Sequence, residues 1–228
     1  MTYDLYIGDR TFSSWSLCGW LMFVKFGLPV RVNMVGLYNG TKDQDLADLK
    51  PARFVPVMRD PDGIVIGDSI AMAETLAERY PEAGMWPKDP EARALCRWIV
   101  AESHSNFVQL RNDCPMQLAH QVQGFEPSDD VKADIARIEE LWSFAREKHG
   151  AGGPWLFGSY SLADVFCAPT TARIAGYGLQ VGDVAQSYVD HVLSDKEFME
   201  WRALGLTKSY DPMPYDMGLP TAPWPGPS

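Results

Sequence analysis

The 228-residue chain is 46% hydrophobic and 22% charged, with 8 Trp, 9 Tyr and 10 Phe, which is enough apolar mass for a sizeable core and too much for a disordered chain. A formal net charge of −10 without any basic block excludes the concentrated Lys/Arg face of a nucleic-acid binder. The four scattered cysteines make no C-x-x-C pair, so neither a metal site nor a disulfide framework is expected. The opening Met1-Thr2-Tyr3-Asp4-Leu5 lacks signal-peptide character, and no apolar run approaches the roughly 18 residues of a membrane helix. A cytoplasmic protein that contacts neither membrane nor nucleic acid is the expectation.

In chain order, Tyr3 to Ile7 reads as a short strand ending at Gly8, and residues 13–26 carry bulky apolar side chains at helical spacing up to Gly27. Residues 30–35 predict a second strand, followed by a polar, helical stretch to Leu49. Val55 to Met58 and Ile64 to Ile66 flank Asp60-Pro61-Asp62-Gly63, a strong turn signal between two strands. A helix over 69–80 closes the unit before Pro81. The order β-α-β-α-β-β-α is the thioredoxin type, and its terminal hairpin requires a mixed four-stranded sheet. Residues 1–81 are therefore expected to form an α/β domain and 82–89, with Gly84 and Pro87, a linker. Helical patterns over 91–112, 129–148, 161–175, 184–193 and 196–204 predict an all-α bundle domain at 90–210. Residues 211–228 hold six of the 17 prolines and are expected to form an extended tail, loose or draped over the body.

Four local features stand out. Thr11-Phe12-Ser13-Ser14-Trp15-Ser16 lies where the first strand gives way to the first helix, and a hydroxyl there shares the positive helix end that stabilises an anion. A plain N-cap role accounts for either serine equally well. In Val55-Pro56-Val57, a cis bond before the proline would turn the Val55 main chain outward to pair with a peptide-like ligand as an added strand. Asp68-Ser69 opens the next helix and suits an amino-acid head group carrying both charges, although both are common caps. Ser161-Leu162-Ala163-Asp164 is a capping-box pattern, read as structural.

In that order and spacing, the features resemble the cytosolic glutathione transferases over roughly residues 3–205. The likeness is to bacterial members with an S-S-W-S-L segment and, more distantly, to the zeta class with its S-S-C-x-x-R motif. The resemblance implies an enzyme in which glutathione is the co-substrate, an electrophilic small molecule the acceptor, and the active form a homodimer without a metal. It places the thiol-activating hydroxyl on Ser13, with Ser14 as the alternative. Glutathione binding falls on Val55, Pro56, Asp68 and Ser69, with Lys42 or Arg53 meeting the glycine carboxylate. The acceptor pocket is expected at Arg10, Phe12 and Trp15, together with His104, Phe107 and Arg111, which share one helix face at i, i+3, i+7. The chain departs from the related motifs in having Cys18 in place of arginine and Gly19 in place of proline. Loss of that arginine argues against zeta-type isomerase activity, and Cys18, a turn inside the helix, is expected to be buried and inert. A glutathione-dependent isomerase of the maleylacetoacetate or maleylpyruvate type, a sulfur-adding biosynthetic enzyme and a non-catalytic ligand-binding protein on the same fold are the alternatives.

Overall fold

The computed structural model describes residues 2–207 and 214–227. The expected boundary between helical region and tail, at 210 and 211, lies outside the described residues. The first unit runs β1 (Tyr3–Ile7), α1 (Ser14–Val24), β2 (Val30–Met34), α2 (Lys42–Asp45), β3 (Val57–Arg59), β4 (Val65–Ile66) and α3 (Ser69–Arg79). Its sheet has the order β2-β1-β3-β4, with β1 parallel to β2, and antiparallel β1–β3 and β3–β4 pairs. This is the mixed four-stranded sheet of a thioredoxin-like domain. Asp60 sets the β3–β4 turn, because its buried carboxylate accepts the N–H groups of Asp62 and Ile64 at 3.0 and 2.7 Å.

The helical region contains α4 (Pro90–Ser105), α5 (Val108–Asp113), α6 (Asp129–His149), α7 (Leu162–Tyr177), α8 (Asp183–Leu193) and α9 (Lys196–Gly205). In α1 every residue from 16 to 23 is buried, and α7 is buried over nearly its whole length. Helices that are apolar all round belong in an interior. These two pack on each other, so one continuous core joins the sheet to the helical region and brings the α1 N-terminus against α7. The capping box at α7 forms as expected, and the Asp164 carboxylate also accepts the Leu156 N–H and the Tyr188 hydroxyl.

Three details differ from the sequence reading. The polar stretch after β2 gives only the single turn of α2 and a 3₁₀ turn at Ala47–Leu49. The helix expected over 91–112 is broken at Asn106 and Phe107, and Phe107 takes a left-handed φ of 57°. That conformation costs a bulky residue, but it buries the Phe107 ring and lets Asp134 of α6 accept the Leu110 N–H at 2.9 Å. A two-stranded ribbon also stands among the helices, where β5 (His120–Val122) pairs antiparallel with β6 (Thr221–Pro223). Through β6, residues 214–227 lie against the body. Trp224 is buried there beneath the Arg202 guanidinium, and the Tyr215 ring meets those of Phe12 and Tyr38.

Candidate active site

A cavity of ≈ 440 Å³ opens where the N-termini of α1 and α3 and the segment before β3 converge beneath α4. Its lining includes Ser13, Trp15, Lys42, Val55, Pro56, Asp68, Ser69 and His104, with Gly67 just before the Asp68-Ser69 pair, and adds Leu37 and Phe54, which the sequence reading did not single out.

Ser13 is fixed by the loop before it. The buried Asp9 carboxylate accepts the Thr11 and Phe12 N–H groups at 2.8 and 3.1 Å, and the Asp9 carbonyl accepts that of Ser13. Ser13 occupies the N-cap position of α1, yet its hydroxyl accepts no helix N–H and instead donates to Ser16 Oγ at 2.7 Å. Ser14 points the other way, away from the cavity, and receives a hydrogen bond from Arg173 Nη2 at 3.3 Å. Neither serine makes the side-chain capping bond that the simpler reading of this segment requires.

The Val55–Pro56 peptide is cis, the isomer expected, and Lys50–Pro51 is cis as well. Gly19 of α1 lies against the proline ring, since a Cβ there would come within 2.8 Å of Pro56 Cβ. Asp68 is the N-cap of α3, its Oδ1 accepting the Ile70 and Ala71 N–H groups, while Oδ2 lies 3.3 Å from His104 Nε2. Partial burial of the imidazole lowers the His104 pKa, opposed by the Asp68 charge. Its ring lies 5.2 Å from that of Trp15, so His104 and Trp15 bridge the helical region to α1 at the cavity. Lys42 faces the cavity beside Phe54, whereas Arg53 is exposed and absent from the lining.

The other acceptor-pocket residues separate from this cavity. Arg10 turns to the Met34 sulfur and the Trp201 ring, and Phe12 is buried against Tyr38 and Tyr215. The break before α5 takes Phe107 and Arg111 off the helix face that carries His104. They join Ser14, Trp15 and Arg173 around a crevice of ≈ 10 Å³, no larger than a single water requires. The i, i+3, i+7 argument fails because it assumed one unbroken helix.

Residues 12–79 match the family model for the N-terminal domain of glutathione S-transferase. Over that stretch the chain is similar to glutathione S-transferase N-terminal domains. Over 180 residues the chain is 28% identical to glutathione S-transferase 1 of Dianthus caryophyllus, a span of 75% of this chain and 79% of that protein. It is 26% identical to the maleylacetoacetate isomerase of Rattus norvegicus over 69% of this chain and 74% of that one. Among solved structures, a glutathione transferase homologue from Burkholderia with bound glutathione superposes with a TM-score of 0.65 at 24% identity, covering 92% of this chain and all of the other. The whole chain thus has the glutathione transferase fold.

Within the matched region, Cys18 is fully buried, its thiol donates to the Val165 carbonyl at 3.4 Å, and burial raises its pKa far above the ordinary range. The sequence reading missed Arg173 of α7. This guanidinium is buried and donates to the carbonyls of Cys114 and Pro169 as well as to Ser14. Burial, with the Arg111 charge adding to it, pulls its pKa down to about 10. The available signal was an isolated arginine within the apolar run of α7.

Proposed function

We propose that this chain is a glutathione transferase that binds glutathione in the ≈ 440 Å³ cavity and adds its thiolate to an electrophilic small molecule. One observation carries this reading. Ser13, Val55–Pro56 and Asp68–Ser69 come from three separate segments of the matched domain and line one cavity. Asp68 and Ser69 suit the γ-glutamyl head group, because Asp68 lines the cavity with a carboxylate for the ammonium while the Ser69 N–H and hydroxyl, at the first position of α3, suit a carboxylate. The Val55 main chain suits the cysteinyl backbone, and Lys42 suits the glycine carboxylate. Arg53 drops out of that role.

The chemical task is to make thiolate available. A free thiol has a pKa of about 8.5, and lowering it by two units takes about 2.7 kcal/mol of preferential stabilisation. A hydroxyl donating from Ser13, together with the N-terminal end of α1, is of the right size to supply this. The acceptor would enter over Trp15 and beneath His104. The division into residues 1–81, 82–89 and 90–210, the cytoplasmic location and the homodimer belong to the same proposal. Phe54 and Trp98, 71% and 56% exposed, are apolar surface that a second subunit would cover.

Calorimetric titration with glutathione, followed by turnover with a panel of electrophiles, is the test. Micromolar-range binding with turnover of at least one electrophile is expected; absence of binding would refute the proposal. The maleylacetoacetate isomerases among the relatives favour a second reading, glutathione-dependent isomerisation, and a maleyl-type substrate belongs in the panel to decide it. Sedimentation at micromolar protein checks the dimer, which a monomeric mass would exclude.

A further inference from the structure

Ser16 lies in the first turn of α1, and none of its surface is exposed. A buried hydroxyl in an apolar helix is costly unless it is hydrogen-bonded, and alanine would suit the helix better. Its oxygen accepts two hydrogen bonds, one from the Gly8 N–H at 2.9 Å and one from the Ser13 hydroxyl at 2.7 Å. Ser13 lines the cavity, whereas Ser16 does not. An N-cap serine ordinarily folds its oxygen onto the second or third N–H of its own helix. Ser13 does not, because its hydroxyl is drawn to Ser16.

We infer that Ser16 is a positioning residue for Ser13, and that its buried hydroxyl turns to back the Ser13 oxygen when the Ser13 proton turns to the glutathione thiolate. This rests on the cavity being a glutathione site. No covalent bond changes in the step. Before it, the Gly8 N–H and the Ser13 O–H both donate to Ser16 Oγ. After it, the Gly8 N–H donates to Ser16, the Ser16 O–H to Ser13, and the Ser13 O–H to sulfur. Hydrogen bonds in such a chain polarise one another, which makes the terminal hydroxyl a better donor to an anion than an isolated serine.

The experiment compares wild type, Ser16→Ala, Ser13→Ala and the double variant as full-length proteins. Ionisation of bound glutathione is followed against pH by thiolate ultraviolet absorbance, beside turnover of one electrophile. Ser16→Ala is expected to raise the bound thiol pKa by about one unit, which leaves roughly threefold less thiolate at pH 7, with KM for glutathione near wild type. In the Ser13→Ala background the same substitution is expected to change neither quantity further. Ser16→Cys leaves an acceptor of similar size for the Gly8 N–H but donates poorly; it should give the same rise if Ser16→Ala proves too unstable to purify. An unchanged thiol pKa in both single Ser16 variants, or an equal loss with and without Ser13, would overturn the inference while leaving the glutathione site intact. Failure of the wild type to bind glutathione would overturn both.

Discussion

The two adjacent serines at the start of α1 face opposite surroundings, so their removal should have opposite signatures. On the proposed mechanism, Ser13→Ala would take one preorganised donor from the thiolate and is expected to lower turnover about 10²–10³-fold. Glutathione affinity should stay close to wild type, because Asp68, Ser69 and the Val55 main chain remain. Ser14→Ala leaves a buried guanidinium hydrogen of Arg173 without its acceptor and is expected to cost about 1–3 kcal/mol of stability with a smaller loss of turnover. Steady-state kinetics and thermal unfolding of the two variants separate these outcomes, and an exchange of the two signatures would make Ser14 the activator. The sequence allowed either serine, because adjacent residues at a helix start share the same local pattern. What separates them is Ser16 on one side and α7 on the other, and the latter lies about 160 residues away in the chain.

Among the elements, α1 depends on a residue that helix propensity disfavours. Glycine in a helix interior costs about 1 kcal/mol relative to alanine, so Gly19→Ala would ordinarily stabilise. Here the added Cβ would sit 2.8 Å from Pro56 Cβ, part of a ring that cannot swing aside. Gly19→Ala is therefore expected to destabilise by about 1–3 kcal/mol, lowering Tm by several degrees, and to weaken glutathione binding by displacing the segment before β3. Calorimetry and thermal unfolding check both. Local chemistry made much of this architecture legible: the Asp60–Gly63 turn, the capping residues Asp68 and Ser161, and the apolar periodicity of α6 and α8 all act within a few residues of themselves. The interruption at Asn106 and Phe107 was not legible, since it is held by the buried Phe107 ring and by Asp134 from another helix. The β5–β6 ribbon escaped for the same reason, its strands being about 100 residues apart in sequence. Errors about the site follow from these: Arg111 and Phe107 were assigned by a periodicity that stops at Ser105.

For the molecule as a whole, three histidines respond alike to acid. Burial is the largest influence on His104, His120 and His191, and it lowers the pKa of each below the unfolded value of about 6.5. The unfolded chain then binds protons more readily than the folded one. Their contribution to stability is complete above about pH 6.5 and is lost as the pH falls toward the folded-state pKa values. Asp164 acts in the opposite sense: burial raises its carboxyl pKa to about 6, so protonation below that pH favours the folded state until the unfolded carboxyl titrates as well. A Tm profile from about pH 8 to 5 is expected to decline from about 6.5 downward, and His104→Gln should make that decline shallower. Arg173 has a consequence of another kind. The related motifs carry an arginine at position 18, whereas this chain brings a guanidinium from α7 to Ser14, one turn earlier on α1. Cys18→Arg alone would force a second cation into the core, and Arg173→Leu alone would remove the guanidinium hydrogen bonds to the Cys114 carbonyl and to Ser14. The double substitution is expected to be less destabilising than the sum of the two by more than about 1 kcal/mol, measured by denaturant unfolding of all three variants. Descent between the two arrangements would then have to cross a fitness valley or pass through a neutral residue at one position. A recombinant that grafted residues 1–81 onto a helical half lacking this arginine would inherit the charge from neither parent.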